Sequence, residues 1–313
     1  MKSEMDVTAK VVGVGACVAD MLYTLDDFPK EDTKLRAEQS KLAGGGPVAT
    51  GLVAVAKLGC SSTYLGVLAS DASGEFLKKD FENYGVNTEL IDVKEGCRSF
   101  TSSIWLAKRT ATRTCVYDKG NLPALQLDEK KNLAIAQAAI LMIDGNEMDA
   151  AEQACLIAKE NGTKVLYDCG GLYEGVERLL KLTDIMIPSE EFALGHTGCK
   201  NKEEAAKRLY EMYHPEIVVV TCGKEGGIYY DGKILKSYPA FLVDAVDTNG
   251  SGDVFHGAFA AAVVKGFSYE DCCVFASAVS AIKCTGFGAR ESVPDEKTVH
   301  EFLKSRGIEV DSE

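Results

Sequence analysis

Residues 247–253 form the segment Asp-Thr-Asn-Gly-Ser-Gly-Asp, which combines features needed for chemistry on a phosphate. Gly250, Ser251 and Gly252 make a turn of small residues directly before an apolar run typical of a buried helix. The free N–H groups and the positive dipole end of such a helix start favour an anion. Asp253 would repel that anion, but it could accept the proton of an attacking hydroxyl group. The segment therefore predicts phosphoryl transfer to an alcohol, although an Asp at a helix start can also be only a cap.

A second set of candidate residues lies near the N-terminus. Asp20 follows the first predicted strand by six residues, and a carboxylate can accept hydrogen bonds from two hydroxyl groups of a polyol. Gly45 and Gly46 would let a ligand approach the backbone closely. Taken alone, Asp20 would more often be a solvated loop acid, and the two glycines could be the loop before a helix with Pro47 in its first turn.

The elements that must position these residues follow from the apolar pattern. Short β-rich runs alternate with longer helical stretches, which is typical of βαβ units on a mostly parallel sheet. The predicted core strands are 10–14, 63–67, 139–143, 163–167, 184–187 and 217–221. The predicted helices are 47–58, 73–84, 149–161, 172–182, 202–213, 253–265 and 269–284. A hairpin at 227–230 and 233–238 and a β-type stretch at 241–246 complete the prediction.

Two stretches, 22–40 and 98–117, interrupt this alternation with β-type residues and charges. Neither lies where a core strand is needed, so they are interpreted either as a small accessory sheet or as two surface hairpins. No linker or internal repeat divides the chain. We therefore predict one α/β domain over residues 1–313, with lid segments at about 20–42 and 98–118.

Composition narrows the classes of partner and compartment. The net charge of −13 over 313 residues argues against a nucleic-acid or anionic-membrane surface. The 11 cysteines have no metal-binding or redox spacing, which fits the reduced thiols of a cytoplasmic protein. Residues 1–11 carry mixed charge without an apolar stretch, so no signal peptide is predicted, and no apolar run is long enough for a membrane helix.

Three motifs occur together in one order along the chain. They are Gly-Gly-Gly-Pro-Val-Ala-Thr at 44–50, Thr-Cys-Gly-Lys-Glu-Gly at 221–226, and the 247–253 segment followed by Gly257 and Ala258. This set resembles the ribokinase-like (PfkB) carbohydrate kinases over nearly the whole chain. The resemblance implies a ribokinase-like fold, with a central mostly parallel sheet flanked by helices and a small β-sheet lid. It also implies an ATP-dependent sugar kinase.

The resemblance assigns roles to individual residues. It implies Asp253 as the catalytic base, with Gly250, Ser251 and Gly252 holding the transferring phosphoryl group. The implied sugar-binding residues are Asp20, Gly45, Gly46 and Thr50. The implied ATP-binding residues are Ser189, Thr221, Gly223, Gly226, Ser277 and Gly288. ATP and Mg²⁺ are the implied cofactors, and the family leaves room for K⁺ near Asp247 and Gly288.

Several positions depart from the family pattern. Thr50 and Ser277 stand where the family often has asparagine, and Ser189 and Phe192 replace the ends of its Asn-x-x-Glu segment. The metal ligands therefore stay unknown, with Glu190 or Glu191 as substitutes. The combination of motifs is similar to the ketohexokinase and sulfofructose kinase branch, which implies a ketose, or an anionic ketose, as substrate.

Alternatives stay open at this stage. A nucleoside kinase of the same fold, or an inactive nucleotide- or sugar-binding regulator, would share these motifs. A dinucleotide-binding fingerprint fails because Val18 occupies the third glycine position, and no P-loop motif is present. We expect Arg290 to be solvated rather than bound to a phosphate, and His256 to be a hydrogen-bonded, partly buried residue. A homodimer through the lid is compatible with the family.

Overall fold

The computed structural model describes residues 10–110 and 112–310. Residues 1–9 lie outside the described residues, and they make up most of the segment on which the signal-peptide prediction was made. The strands are β1 Val11–Val14, β2 Val18–Leu25, β3 Gln39–Gly45, β4 Ser62–Leu65, β5 Val67–Ala69, β6 Asp92–Lys94, β7 Thr101–Ala107, β8 Thr112–Asp118, β9 Ile140–Ile143, β10 Lys164–Cys169, β11 Ile185–Pro188, β12 Ile217–Thr221, β13 Gly227–Tyr230 and β14 Leu235–Tyr238. The helices are α1 Pro47–Lys57, α2 Ala72–Asn83, α3 Glu129–Gln137, α4 Met148–Asn161, α5 Val176–Leu180, α6 Glu190–Thr197, α7 Lys202–Tyr213, α8 Ser251–Val264, α9 Tyr269–Cys284 and α10 Glu296–Lys304.

The central sheet has eight strands in the order β14-β13-β12-β11-β10-β9-β1-β4. It is parallel from β4 to β12, and only β13 and β14 run antiparallel. Successive residues of each strand point to opposite faces, so Val11 packs in the core with α1, α8 and α9, whereas Val12 packs in the core with α4 and α7. Burial on both faces explains why these strands are almost purely apolar.

Most predicted elements are confirmed. All six predicted core strands and the 227–238 hairpin are present, and α7 and α9 have the predicted bounds. The helix predicted at 172–182 is shorter, because Gly175 has a φ of 85° and starts α5 only at Val176. Within the described residues, no helix has both the length and the apolar character needed to cross a bilayer.

The β-type stretch at 241–246 is not a strand, so this prediction was wrong. The sheet ends at β14, and among the described residues the chain beyond Pro239 has no neighbouring strand with which to pair. Its backbone is held by α9 instead, since the N–H groups of Val246 and Asp247 donate to Cys284 O at 2.7 and 3.1 Å. Leu242 is 90% exposed, which no residue of a covered strand would be.

A separate four-stranded sheet, called the small sheet below, has the order β3-β2-β7-β8. It contains parts of both stretches that interrupt the βαβ pattern, which confirms the accessory sheet over two independent hairpins. Its strands begin at Val18, two residues before the predicted lid segment. Leu22, Ala43 and Ile104 form its core, with Phe287 from the C-terminal loop packed against them.

Candidate functional site

One cleft lies between the small sheet and the N-terminal ends of α1 and α8. It brings together predicted residues from both ends of the chain, since Asp20 and Asp253 both line it. The lining residues from the small sheet and its entry are Val18, Asp20, Gly45, Phe100, Ser102, Ile104, Cys115 and Tyr117. The remaining lining residues are Gly46, Thr50, Asn249, Gly250, Asp253 and Ala289.

The start of α8 has the geometry expected of an anion-binding turn. Gly250 caps the helix with a φ of 73°, a left-handed conformation that favours glycine. A Cβ atom on Gly250 would lie 2.6 Å from Ala289 Cβ, so a larger residue would displace the neighbouring loop. Ser251 N–H donates to Thr248 O at 3.2 Å, while a Cβ atom on Gly252 would meet no atom within 4 Å. The first turn of a helix has N–H groups without intrahelical partners, and the open space beside Gly252 leaves room for an anion there.

Asp253 lies in the first turn of α8 and faces the cleft, with its side chain partly accessible. Burial raises the pKa of Asp253 above its ordinary value, and His256, Arg113 and Lys283 act in the opposite direction. A carboxylate whose proton affinity is increased in this way is a better general base than a fully solvated one.

Asp20 is held in a defined orientation on β2. Its Oδ1 accepts a hydrogen bond of 2.6 Å from the Ser102 hydroxyl, and the side chain is only 7% exposed. Burial raises the pKa of Asp20 to about 6, while Ser102 and Arg290 lower it and Asp253 raises it. A Cβ atom on Gly45 would lie 1.9 Å from Asp20 Oδ2, so the glycine makes room for this carboxylate.

Thr50 lies in α1 and lines the same cleft. Thr50 is fully buried, and among the described residues its Oγ1 has no hydrogen-bond partner. An unpaired buried hydroxyl is costly unless a ligand or water satisfies it. Thr50 is therefore suited to bind a polar group of a ligand such as a sugar.

Two buried charged residues stabilise the loops beside the cleft. The sequence analysis did not identify Asp144, and its expectation for Arg290 was wrong. Asp144 Oδ2 accepts hydrogen bonds from Ala16 N at 2.8 Å and Val48 N at 3.2 Å, which fixes the start of α1 against the loop after β1. Arg290 is 1% exposed, so the expectation of a solvated side chain was wrong. It forms an ion pair with Asp80 at 2.6 Å and donates to Gly45 O at 2.7 Å. These two contacts fix the position of the glycine-rich loop at 44–46.

His256 is confirmed as a hydrogen-bonded residue, and it is buried. Its Nδ1 lies 2.6 Å from Gly252 O and 3.2 Å from Asp168 Oδ2, and its Nε2 lies 3.0 Å from Ile187 O. These contacts join the first turn of α8 to the ends of β10 and β11. His256 therefore positions the turn that carries Asp253.

The residues predicted to bind ATP lie outside the cleft that contains Asp20. Ser189 directly follows β11 and Thr221 is the last residue of β12, and the two form a bridge with each other, so they share the carboxyl edge of the sheet. Gly223 and Gly226 follow in a tight turn with φ values of 55° and 80°. Farther along the chain, Ser277 donates to Pro239 O at 2.6 Å, and Gly288 N–H donates to Asp247 Oδ2 at 3.0 Å.

The segment that departs from the family's Asn-x-x-Glu pattern is built for helix capping and packing. Ser189 Oγ accepts from Phe192 N at 3.1 Å and caps α6, while the Phe192 ring is buried and stacks on His196. Glu190 is half-buried and Glu191 is exposed. Within residues 10–110 and 112–310, no three acidic, histidine or cysteine side chains are grouped as metal ligands. The metal ligands are thus unassigned.

Sequence reasoning found Asp20 and Gly45 of the small sheet but missed the cleft residues on β7 and β8, and it also missed Asn249. Ser102 and Ile104 alternate along β7, and they pair with Tyr117 and Cys115 of β8. This alternation was a usable signal for a shared face. The register between the two strands and β2 was not readable, because it depends on pairing across more than 70 residues of chain.

Comparisons with known proteins agree with this geometry. The sequence matches the profile of the pfkB family carbohydrate kinases over residues 8–296. It is 28% identical to ribokinase from Haemophilus influenzae, over 93% of this chain and 97% of that protein. It is also 28% identical to 5-dehydro-2-deoxygluconokinase from Clostridium beijerinckii, over 90% of each chain. The structure of Arabidopsis thaliana ribokinase complexed with ribose and ATP superposes with a TM-score of 0.85 and 24% identity, over 95% of this chain and 99% of that chain.

Proposed function

The chain belongs to the pfkB family of carbohydrate kinases, and on this premise we propose that it transfers the γ-phosphoryl group of ATP to a sugar hydroxyl with Asp253 as general base. The observation that carries the proposal is the shared cleft, in which Asp253 and the α8 turn face Asp20 and the glycine-rich loop. The sugar hydroxyl that accepts the phosphoryl group and the turn that binds this group can therefore lie next to each other. A general base is useful only under that condition.

The proposed reaction uses each residue for one task. Asp20 and Thr50 bind hydroxyl groups of the sugar and orient it, with Gly45 and Gly46 allowing close approach. The acceptor hydroxyl loses its proton to the Asp253 carboxylate, its oxygen bonds to the γ-phosphorus, and the bond from that phosphorus to the ADP oxygen breaks. The turn Gly250–Gly252 at the start of α8 stabilises the charge on the transferring group.

Residues 189, 221, 223 and 226, at the ends of β11 and β12, are proposed to bind the nucleotide, together with Ser277 and Gly288. Mg²⁺ bound to ATP would neutralise part of the phosphate charge. Because the protein ligands of that ion are unassigned, no residue is given this role.

The small sheet is proposed to act as a lid over the sugar. Phe100 and Tyr117 lie with ring centroids 5.8 Å apart, and both line the cleft. Apolar rings over the reacting groups would keep water from competing for the phosphoryl group.

The exposed side chains Val116 and Tyr117 lie on β8, the last strand of this sheet, and support the further proposal of a homodimer through this edge. Light scattering on a sizing column would show the dimer mass or exclude it.

A ketose, in particular one with an anionic group, is proposed as the substrate. Arg113 lies on β8, where it pairs with Leu106 of β7. It is two positions before the cleft residue Cys115, so its side chain projects on the same face of β8 as the cleft residues. Its positive charge also acts on Asp253. A cation on the cleft-facing side of the small sheet, in a site with two carboxylates, would favour an anionic acceptor. Relatives named for ribose and for 5-dehydro-2-deoxygluconate are equally similar to the chain, so their names do not decide between neutral and anionic sugars.

A substrate panel in an ADP-release assay tests this proposal. The panel contains fructose, sulfofructose, phosphorylated ketoses, 5-dehydro-2-deoxygluconate, ribose and nucleosides. We expect an anionic ketose to give a kcat/KM at least about tenfold above that of ribose. A nucleoside as best substrate would favour the nucleoside kinase instead. Ligand-induced melting shifts without product from any compound would favour the inactive regulator.

The pH dependence of the reaction follows from the two cleft carboxyl groups. Burial raises the pKa of Asp20 to about 6 and raises that of Asp253. Both must be ionised to bind and deprotonate the sugar, and a raised carboxyl pKa means that protonation begins at higher pH. We therefore expect kcat/KM to be constant above about pH 7 and to fall as the pH is lowered through about 6. Initial rates between pH 5.5 and 8.5 at low sugar would show it, and a rate that rises on acidification would contradict it.

A further inference from the structure

Lys283, near the end of α9, has a fully buried side chain with 0% exposure. Among residues 10–110 and 112–310, its ammonium group forms no ion pair with a carboxylate. Its Nζ donates to Asp247 O at 2.8 Å and also to Asn249 O. Lys131 provides the contrast, since it is also buried, with 3% exposure, but forms ion pairs with Asp92 and Asp128. A buried ammonium held by backbone carbonyls therefore needs a local reason.

That reason is the position of the two carbonyl groups. Both belong to the turn that leads into Gly250 and the start of α8. The Asp247 carboxylate lies in the same turn and accepts from Asn249 N at 2.8 Å and from Gly288 N at 3.0 Å. The Lys283 ammonium is thus bonded to the backbone of the phosphate-binding turn, and its charge is felt at Asp253.

A set of backbone carbonyls converging on one point is also the kind of site that binds a dehydrated K⁺ ion. The family resemblance allows a K⁺ site near Asp247 and Gly288. The carbonyls of 247 and 249 are the oxygens such an ion would need there, and Lys283 is already within hydrogen-bond distance of both. Two cations at one such point would repel each other strongly in a buried site. The residues present therefore do not fit a bound K⁺.

We propose that the Lys283 ammonium is the built-in cation of the phosphate-binding turn, so that the enzyme requires no monovalent metal ion. The proposal rests on the proposed role of this turn in holding the transferring phosphoryl group. Lys283 acts as a positioning residue, because it bonds the turn from behind and does not line the cleft. It fixes the carbonyl groups that would otherwise point into the buried space beneath the anion site. It also supplies positive charge there.

The first experiment compares the unmodified protein in KCl, NaCl and choline chloride at equal ionic strength with constant Mg²⁺. We expect kcat and kcat/KM to agree within about twofold among the three salts, and the melting temperature in KCl to lie within about 2 °C of that in choline chloride. K⁺ activation of about fivefold or more, or a K⁺-specific rise of about 4 °C or more, would overturn the proposal. The melting measurement needs no sugar, so it remains decisive even if no substrate on the panel is phosphorylated.

The second experiment removes the charge with Lys283→Met, and Lys131→Met is the matched control for loss of a buried lysine. We expect Lys283→Met to lower kcat in choline chloride by at least about tenfold, with sugar KM changed less than about threefold. Lys131→Met should lose stability while its kcat stays within about twofold. A Lys283→Met protein with unchanged kcat would refute the role of the ammonium. If Lys283→Met does not fold, the salt comparison on the unmodified protein still decides the question.

Discussion

Asp253→Asn is expected to reduce sugar phosphorylation by at least about 1,000-fold, while the protein stays folded and binds ATP. The asparagine side chain has the same shape, but it cannot accept the hydroxyl proton. Because burial raises the pKa of Asp253, the ionised carboxylate is not a source of stability at neutral pH. The melting temperature should therefore be unchanged or slightly higher. The measurements are kcat in the ADP-release assay, ATP affinity by calorimetry and thermal melting.

The matched control for this variant is Asp295→Asn. Asp295 also lies at the start of a helix, where it caps α10 by accepting from Thr298 N at 2.8 Å. Asparagine caps helices about as well as aspartate, so this variant should keep full activity. If Asp253→Asn retained more than about one tenth of the activity, Asp253 would be removed from the mechanism.

Asp20→Asn is expected to raise the KM for the sugar by about 100-fold and leave ATP affinity unchanged. An amide offers one acceptor oxygen where the carboxylate offers two charged ones, so hydrogen bonds to the sugar hydroxyls are weakened or lost. Steady-state kinetics with each substrate varied in turn would separate the two effects.

The same variant should be more stable than the unmodified protein. Burial raises the pKa of Asp20 from 3.8 to about 6, so keeping this group ionised at pH 7.5 works against the folded state. Removing the charge should stabilise the fold by up to about 3 kcal/mol. Asn can still accept the hydrogen bond from Ser102. A stabilised protein with poor sugar binding is the pattern expected of a site residue.

Asp27→Asn serves as the control outside the cleft, since the Asp27 side chain is 49% exposed and pairs with Arg109 at 2.6 Å. Neither its sugar KM nor its melting temperature should change appreciably. If Asp20→Asn left the sugar KM within about threefold of the unmodified value, Asp20 would be a structural acid and the sugar would have to bind elsewhere.

The sequence was sufficient for features that depend on local chemistry. Apolar runs bounded by turns located the parallel strands, because strands buried on both faces must be apolar. The Gly-Ser-Gly turn predicted the start of α8, because only glycine readily adopts the φ of Gly250. The shared cleft followed from the resemblance, which linked Asp20 to Asp253 across more than 200 residues.

Features that depend on distant partners were not predictable. Arg290 is locally an ordinary loop arginine, and its burial requires Asp80 and the face of Phe81, which lie on α2. The burial of Lys283 was not predictable either, since its hydrogen-bond acceptors are backbone carbonyl groups, which a sequence pattern does not identify. The strand prediction for 241–246 was wrong for the opposite reason, because in the part of the chain that the structure describes its β-type residues have no neighbouring strand to pair with.

The central claim is that one cleft holds the sugar on Asp20 and its acceptor hydroxyl on Asp253. It is tested most directly by a crystal structure with the best substrate of the panel and a non-hydrolysable ATP analogue. The acceptor hydroxyl should lie about 2.6–3.2 Å from an Asp253 carboxylate oxygen, with the γ-phosphate at the turn 250–252 and other sugar hydroxyls on Asp20. A sugar bound outside this cleft, or an acceptor hydroxyl oriented away from Asp253, would contradict the account.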